Sequence, residues 1–150
     1  MTQLINQQET VISVSELETL HTEGAGYDIL RYISLPELLG KESHTLLYFM
    51  GRKLARKFDI QTMEDIIRLF ALLGWGQLEM VKDKRKSITF QLMADAVALR
   101  LQAPFPTDFR LEAGFLAEAL LQIENRDCEC IESINKRIHQ VEFKAMFSTD

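Results

Sequence analysis

The stretch FRLEAGFLAEALLQ, Phe109 to Gln122, limits the fold more than any other part of the chain. At about 100° per residue, Phe109, Leu116, Leu120 and Ile123 fall on one helical face, and Ala113, Gly114, Ala117 and Leu121 extend it sideways. Only Glu118, Gln122 and Leu111 share the remaining narrow stripe. So wide an apolar arc requires burial against more than one layer. Gly114 costs about 1 kcal/mol against alanine in a helix interior, so something must offset it. With Ala117 it forms a small-residue notch, which either neighbouring protein atoms or a ligand fills; protein atoms are the expected filling. Glu112 lies beside the arc, and once buried it needs a cation, with Arg31 and Arg100 as candidates.

The chain has 150 residues, a length expected of one domain that buries a core without staples. We expect a loose N-terminal arm over residues 1–22 and a single domain over 23–150. The net charge of −5 argues against nucleic acid as a partner. No apolar run is long enough to span a membrane, and the N-terminus lacks the basic-then-apolar pattern of a signal peptide. The two cysteines, Cys128 and Cys130, do not make a disulfide framework, and the expected setting is the cytoplasm.

Apolar periodicity predicts helices from Tyr27, with a disturbance before Pro36, and over SHTLLYFMGRKLARKF, capped by Ser43. Thr62 and Asp65 form a capping box that opens MEDIIRLFALL, which Gly74 ends. QLEMVKDKRKSITFQL then alternates around a charged turn, Asp83 to Lys86, and reads as a hairpin. ADAVALRLQ is ambiguous, Asp108 or Thr107 caps the apolar helix, and CECIESI with HQVEFKAMF suggests a second hairpin. The expected class is α+β, with four to five helices packed on a small antiparallel sheet of about four strands.

YDILRYISLPELLGKESHTLLYFMGRKLARKF, GWGQLEMV and RLEAGFLAEAL, in this order, resemble the YslB-like family of uncharacterised bacterial proteins. That family is similar to a superfamily holding TRAPP trafficking subunits, vinyl-reductase-type domains and haem-dependent nitric oxide sensors. The resemblance covers about residues 23–147. It implies a TRAPP-subunit-like fold whose helices and sheet can enclose an apolar pocket for a lipid chain or a cofactor. The chain lacks the porphyrin-clamping Tyr-x-Ser-x-Arg motif of the haem sensors and has only His21, His44 and His139, so haem is not expected.

The leading functional expectation is a non-enzymatic domain binding a lipid or another small apolar or amphipathic molecule, with no other cofactor. Leu47, Met50, Gly51, Leu54, Gly114, Phe115 and Ala117 would line the pocket. The alternative is an assembly module, a homodimer or an adaptor for a protein partner, with a fully packed core. Opposite charges would then meet between subunits, because Asp108 to Glu132 holds seven acids against two arginines while the middle of the chain is basic. No catalytic constellation appears: phosphate loop, dinucleotide fingerprint and nucleophile elbow are all absent. Cys128, Cys130 and His139 are soft metal ligands in principle, but a closed zinc site would still lack its fourth ligand. The basic runs GRKLARK and KDKRK are read as a solvated helix end and a hairpin turn. Trp75, between two glycines, is read as core packing or an interface anchor.

Overall fold

The computed structural model describes residues 13–18 and 24–148. Its centre is α7 (Arg110–Glu124), in which every residue from Leu111 to Leu120 is buried. α4 (Ser43–Ala55) lies along one side of α7 and the sheet covers the other. The wide apolar arc of the sequence is therefore the middle layer of a three-layer stack. Of the expected polar stripe, Leu111 at 5% and Glu118 at 6% exposure are buried too, while Gln122 stays exposed. Arginines of α4, described below, make that burial tolerable.

The crossing of α4 and α7 depends on two glycines. A methyl group on Gly114 would overlap the Tyr48 carbonyl of α4, and one on Gly51 would overlap the Leu111 carbonyl of α7. Each helix thus presents its glycine to the other's backbone. Close packing is repaid here by the contacts that a short interaxial distance permits. The notch at Gly114 is filled by protein atoms.

The sheet has four antiparallel strands in the order β1-β2-β4-β3. These are β1 (Gln77–Asp83), β2 (Ser87–Met93), β3 (Cys128–Asn135) and β4 (Gln140–Phe147). Both hairpins form where alternation predicts them, and the sheet sets them side by side. Ile88, Phe90 and Leu92 stand opposite Ala145, Phe143 and Val141, and all six are buried. The period of two carries this row onto the face that meets the helices. The chain is α+β, as its blocks of helix and strand imply.

The remaining helices frame this core. α5 (Met63–Leu72) packs on β1 and opens with the expected capping box: Thr62 Oγ1 accepts from Asp65 N, and Asp65 Oδ2 accepts from Thr62 N. After α5, Gly74 adopts φ 78° and Gly76 φ 142°, and the turn between them buries Trp75. Trp75 belongs to the core, with Phe70 and Phe115 rings each centred 5.1 Å away.

Several local expectations change. The ambiguous ADAVALRLQ forms α6 (Asp95–Leu101). Ser43 is the first residue of α4 and not its cap; the cap is Glu42, whose side chain bonds no backbone N–H. Phe109 occupies the cap of α7, and Asp108 acts from one position earlier, accepting from Arg110 N at 2.9 Å. The disturbance before Pro36 is a π-helical turn, Leu30–Ser34, joining α2 (Ala25–Ile29) to α3 (Leu35–Leu39). Of the expected N-terminal arm, residues 1–12 and 19–22 lie outside the described residues. Its described part holds a helical turn, α1 (Val14–Leu17), with Val14 against the core and Glu18 accepting from Arg68 Nε at 2.7 Å.

Candidate functional site

The outer face of α4 is where apolar side chains remain in water. Leu46 is 42%, Phe49 55% and Met50 37% exposed, and Leu38 of α3 reaches 80%. With Leu39, Lys53, Leu54 and Lys57, the three α4 residues line a surface groove of about 450 Å³. The groove exists because α4 is apolar on two sides. Leu47, Tyr48, Gly51 and Ala55 face inwards, while the stripe at 46, 49, 50 and 53 advances by three or four residues along the outside. Soluble chains rarely gather large apolar groups like this without a use for them. A second groove, of about 530 Å³, runs between α5 and the edge strand β1, but Glu64, Gln77, Glu79 and Gln91 interrupt its apolar lining.

A second concentration of chemistry lies inside. Arg31 of the π turn is 1% exposed and reaches Asp108 Oδ1 at 2.8 Å and Glu112 Oε1 at 3.3 Å. Two carboxylates thus share one guanidinium, and the residues standing nearby decide how each titrates. Burial pushes the Glu112 carboxyl above the ordinary carboxylate range, although Arg31 pulls the other way. Burial also acts upward on Asp108, but Arg31 outweighs it and holds the carboxyl below its ordinary value. Arg100 extends the cluster, donating to Asp28 Oδ1 at 3.0 Å and to the Trp75 carbonyl at 3.2 Å. The Trp75 indole donates to Tyr27 Oη at 3.0 Å, and burial pushes the Tyr27 phenol up to about 12. These contacts fasten α2 and the π turn to α6 and α7. Among the described residues, Arg31 Nε, Glu112 Oε2 and the Tyr32 hydroxyl, all buried, find no hydrogen-bond partner.

A third polar group joins α4, α7 and β3. Arg52 donates to Glu118 at 3.1 Å, to Asp127 at 2.9 Å and to the Cys128 carbonyl at 3.1 Å. Arg56 donates to the other oxygen of Glu118 at 3.0 Å. Arg110 pairs with Glu132 at 2.8 Å and lies over the Tyr48 ring. This corrects two sequence expectations. The arginines of GRKLARK are not simply a solvated helix end, because they bond α7 and β3. The acid-rich stretch from Asp108 to Glu132 meets much of its opposite charge within the same chain.

The residues expected to line a pocket fall into two separate places. Leu47, Gly51, Gly114, Phe115 and Ala117 are buried between α4, α7 and the sheet. There Gly51 and Gly114 meet backbone, and Phe115 meets the rings of Phe58, Phe70 and Trp75. Met50 and Leu54 line the outer groove instead. Cys128 and Cys130 point into the core, the Cys128 thiol 3.5 Å from the Ala117 carbonyl, and burial raises it to about 11. His139 sits at the opposite end of the hairpin, where Asn135 pairs with Gln140, so the structure does not bring it to the two thiols. The groove residues Leu39, Leu46, Phe49, Lys53 and Lys57 were missed from sequence; their signal was a second helical stripe beside the buried one.

Comparison with known proteins agrees with this architecture. The chain is 32% identical over 129 residues to the "Uncharacterized protein YslB" of Bacillus subtilis, covering 86% of this chain and 87% of that one. It is 24% identical over 107 residues to the "Uncharacterized protein MJ1642" of Methanocaldococcus jannaschii, covering 71% and 65%. Among solved structures, a vinyl-4-reductase family protein from Methanocaldococcus jannaschii superposes with a TM-score of 0.63 at 15% identity, over 91% of this chain and 88% of that one. That likeness shows a shared fold of helices on an open antiparallel sheet. Residues 24–146 match the family described as "Protein of unknown function (DUF2507)", and the chain belongs to it.

Proposed function

We propose that this protein is a non-enzymatic docking module whose working surface is the outer apolar face of α3 and α4. The observation that carries this reading is the groove lined by Leu39, Leu46, Phe49, Met50 and Leu54. The exposed surface of Leu46, Phe49 and Met50 adds nothing to the core while it stays in water, whereas covering it would contribute roughly 25 cal/mol per Å² of apolar surface removed. The notch at Gly51 and Gly114, the other place a guest would enter, is filled by backbone. A docking role needs no cofactor and no nucleic acid, and two free buried cysteines suit a reducing cytoplasm. Among the described residues no helix is long and apolar enough to cross a membrane. The occupant is a protein surface, either a second copy in a homodimer or a different partner.

Lys53 and Lys57 favour a second reading, in which the groove holds the apolar chain of an anionic amphiphile. One experiment separates the two. A photo-crosslinking amino acid at position 49, with position 144 on the exposed sheet face as control, is irradiated in cells and the adducts are weighed. Polypeptide adducts at 49 alone are the expected result. Small-mass adducts alone would support the amphiphile, and none at 49 would overturn both readings.

A further inference from the structure

The outer groove is not a property of α4 alone. Apart from Leu39, every described residue that lines it lies on α4 or just past its end, and Leu39 ends α3. The surface of a single helix is convex, so the concavity arises where α3 packs beside α4. α3 belongs in turn to a segment, residues 25–39, that has few apolar anchors: neither α2 nor α3 contributes a buried residue. The buried side chains of the segment are Arg31 and Tyr32 of the π turn. Arg31 fastens it to Asp108 at 2.8 Å and to Glu112 at 3.3 Å, at the start of α7. Asp28 on Arg100 and Tyr27 on the Trp75 indole, each at 3.0 Å, hold its first half, and the Tyr32 ring stacks on Phe105. These fastenings all fall between residues 27 and 32. Past α3 the chain turns through Gly40 at φ 72°, a conformation that glycine takes without the strain of a side chain.

We infer that the docking groove is conditional: it exists while Arg31 holds residues 25–39 closed, so that filling the groove and closing this strap form one coupled equilibrium. This rests on the docking reading above and names how that site is regulated. Gly40 is the hinge, Arg31 on Asp108 and Glu112 is the latch, and Leu38 with Leu39 is the wall that moves. When the latch opens, the wall leaves α4, and Leu46, Phe49 and Met50 remain as a bare ridge. A polar latch suits the purpose, because opening it exposes little apolar surface and the open state lies close in free energy. Only closed molecules present the groove, so the apparent dissociation constant is the intrinsic one divided by the closed fraction; a closed fraction of about a tenth weakens docking about tenfold. The coupling is reciprocal. A partner that covers Leu39 together with Phe49 touches both sides of the hinge and holds the strap shut.

Two readouts test the coupling. In the purified chain, nitroxide labels on Leu38→Cys and Lys144→Cys report the distance from the wall to the sheet, while the buried Cys128 and Cys130 thiols stay unlabelled. In cells, the photo-crosslinker at position 49 reports occupation of the groove. Arg31→Met should broaden the label distances and lower the polypeptide adducts at 49 about tenfold. Arg31→Lys, which keeps the cation, should fall between Arg31→Met and the wild type in both. Thr62→Ala, which loosens α5 instead, should leave both unchanged. If Arg31→Met does not fold, Tyr27→Phe, which gives up only the bond from the indole, should shift both readouts the same way by a smaller factor. A strap that opens while the adducts persist would overturn the inference and leave the docking face standing. Adducts that fall while the label distances stay narrow would overturn it as well. No adducts at 49 in the wild type would remove the docking reading, and this inference with it.

Discussion

The pair of carboxylates on Arg31 shows how two like residues come to titrate in opposite senses. Asp108 is held below its ordinary value, so its stabilisation is present above the unfolded carboxyl value and is lost as pH falls through the folded one. Glu112 is raised, so its proton favours the folded state at low pH, and that contribution disappears as pH rises through its folded value. At pH 7 Asp108→Asn should therefore cost about 1–3 kcal/mol, and Glu112→Gln less. The Asp108→Asn deficit should begin to shrink as pH falls below about 4, the unfolded carboxyl value, and vanish only below the lower folded value. Urea midpoints from about pH 7 to about pH 2 check this, and an Asp108→Asn deficit as large at the acid end as at neutral pH would refute it. Glycines give a second contrast in sign. Gly114→Ala should destabilise by about 1–3 kcal/mol, because the new methyl meets the Tyr48 backbone on another helix, which cannot rotate away. A methyl group on Gly26 in α2 meets nothing within 4 Å among the described residues, so Gly26→Ala should stabilise by about 0.4–1 kcal/mol. Equal effects in thermal melts of the two variants would show that the crossing of α4 and α7 can loosen.

At the scale of elements, legibility followed locality. The capping box of α5 could be read from Thr62 and Asp65 because both partners lie within one turn. Thr62→Ala should cost about 1 kcal/mol without altering the fold, measured by chemical denaturation; a change within error would mean that Asp65 alone satisfies the helix end. The two hairpins were legible from alternation, and burial of Glu112 was rightly paired with a cation from among the arginines. Other elements were decided by contacts distant in sequence. α6 gave no clear period because its anchors are Val97, packed in the core, and Arg100, bound to Asp28 and the Trp75 carbonyl. The π turn was visible only as trouble before Pro36. Its widened backbone lies where Arg31 and Tyr32 are the buried residues of the turn. Arg52 and Arg56 were misread because a basic helix end has a sufficient local explanation in the dipole. Their partners Glu118 and Asp127 stand more than sixty residues away.

The whole molecule combines a stack held by apolar packing with a strap held mainly by polar contacts. α4, α7 and the sheet share the buried core and the Arg52–Glu118 link, whereas α2 and α3 contribute no buried residue. From Ala25 to Leu39 the strap is held by Arg31 on Asp108 and Glu112, Asp28 on Arg100 and Tyr27 on Trp75, with Tyr32 buried beside them. Such an element opens at a lower free energy than the core, since little apolar surface is exposed when it leaves. Amide exchange should therefore be fastest over residues 25–39 and slowest in α7, β2 and β4. Arg31→Met removes the cation from a buried Glu112 and should cost about 3–5 kcal/mol if the carboxylate stays inside. The strap offers a cheaper outcome: it detaches, water reaches Glu112, and the core persists. The variant should then exchange residues 25–39 at the rate of open chain while α7 keeps its protection. Uniform acceleration across both regions would mean that strap and core unfold as one unit, and the polar cluster would then be part of the core.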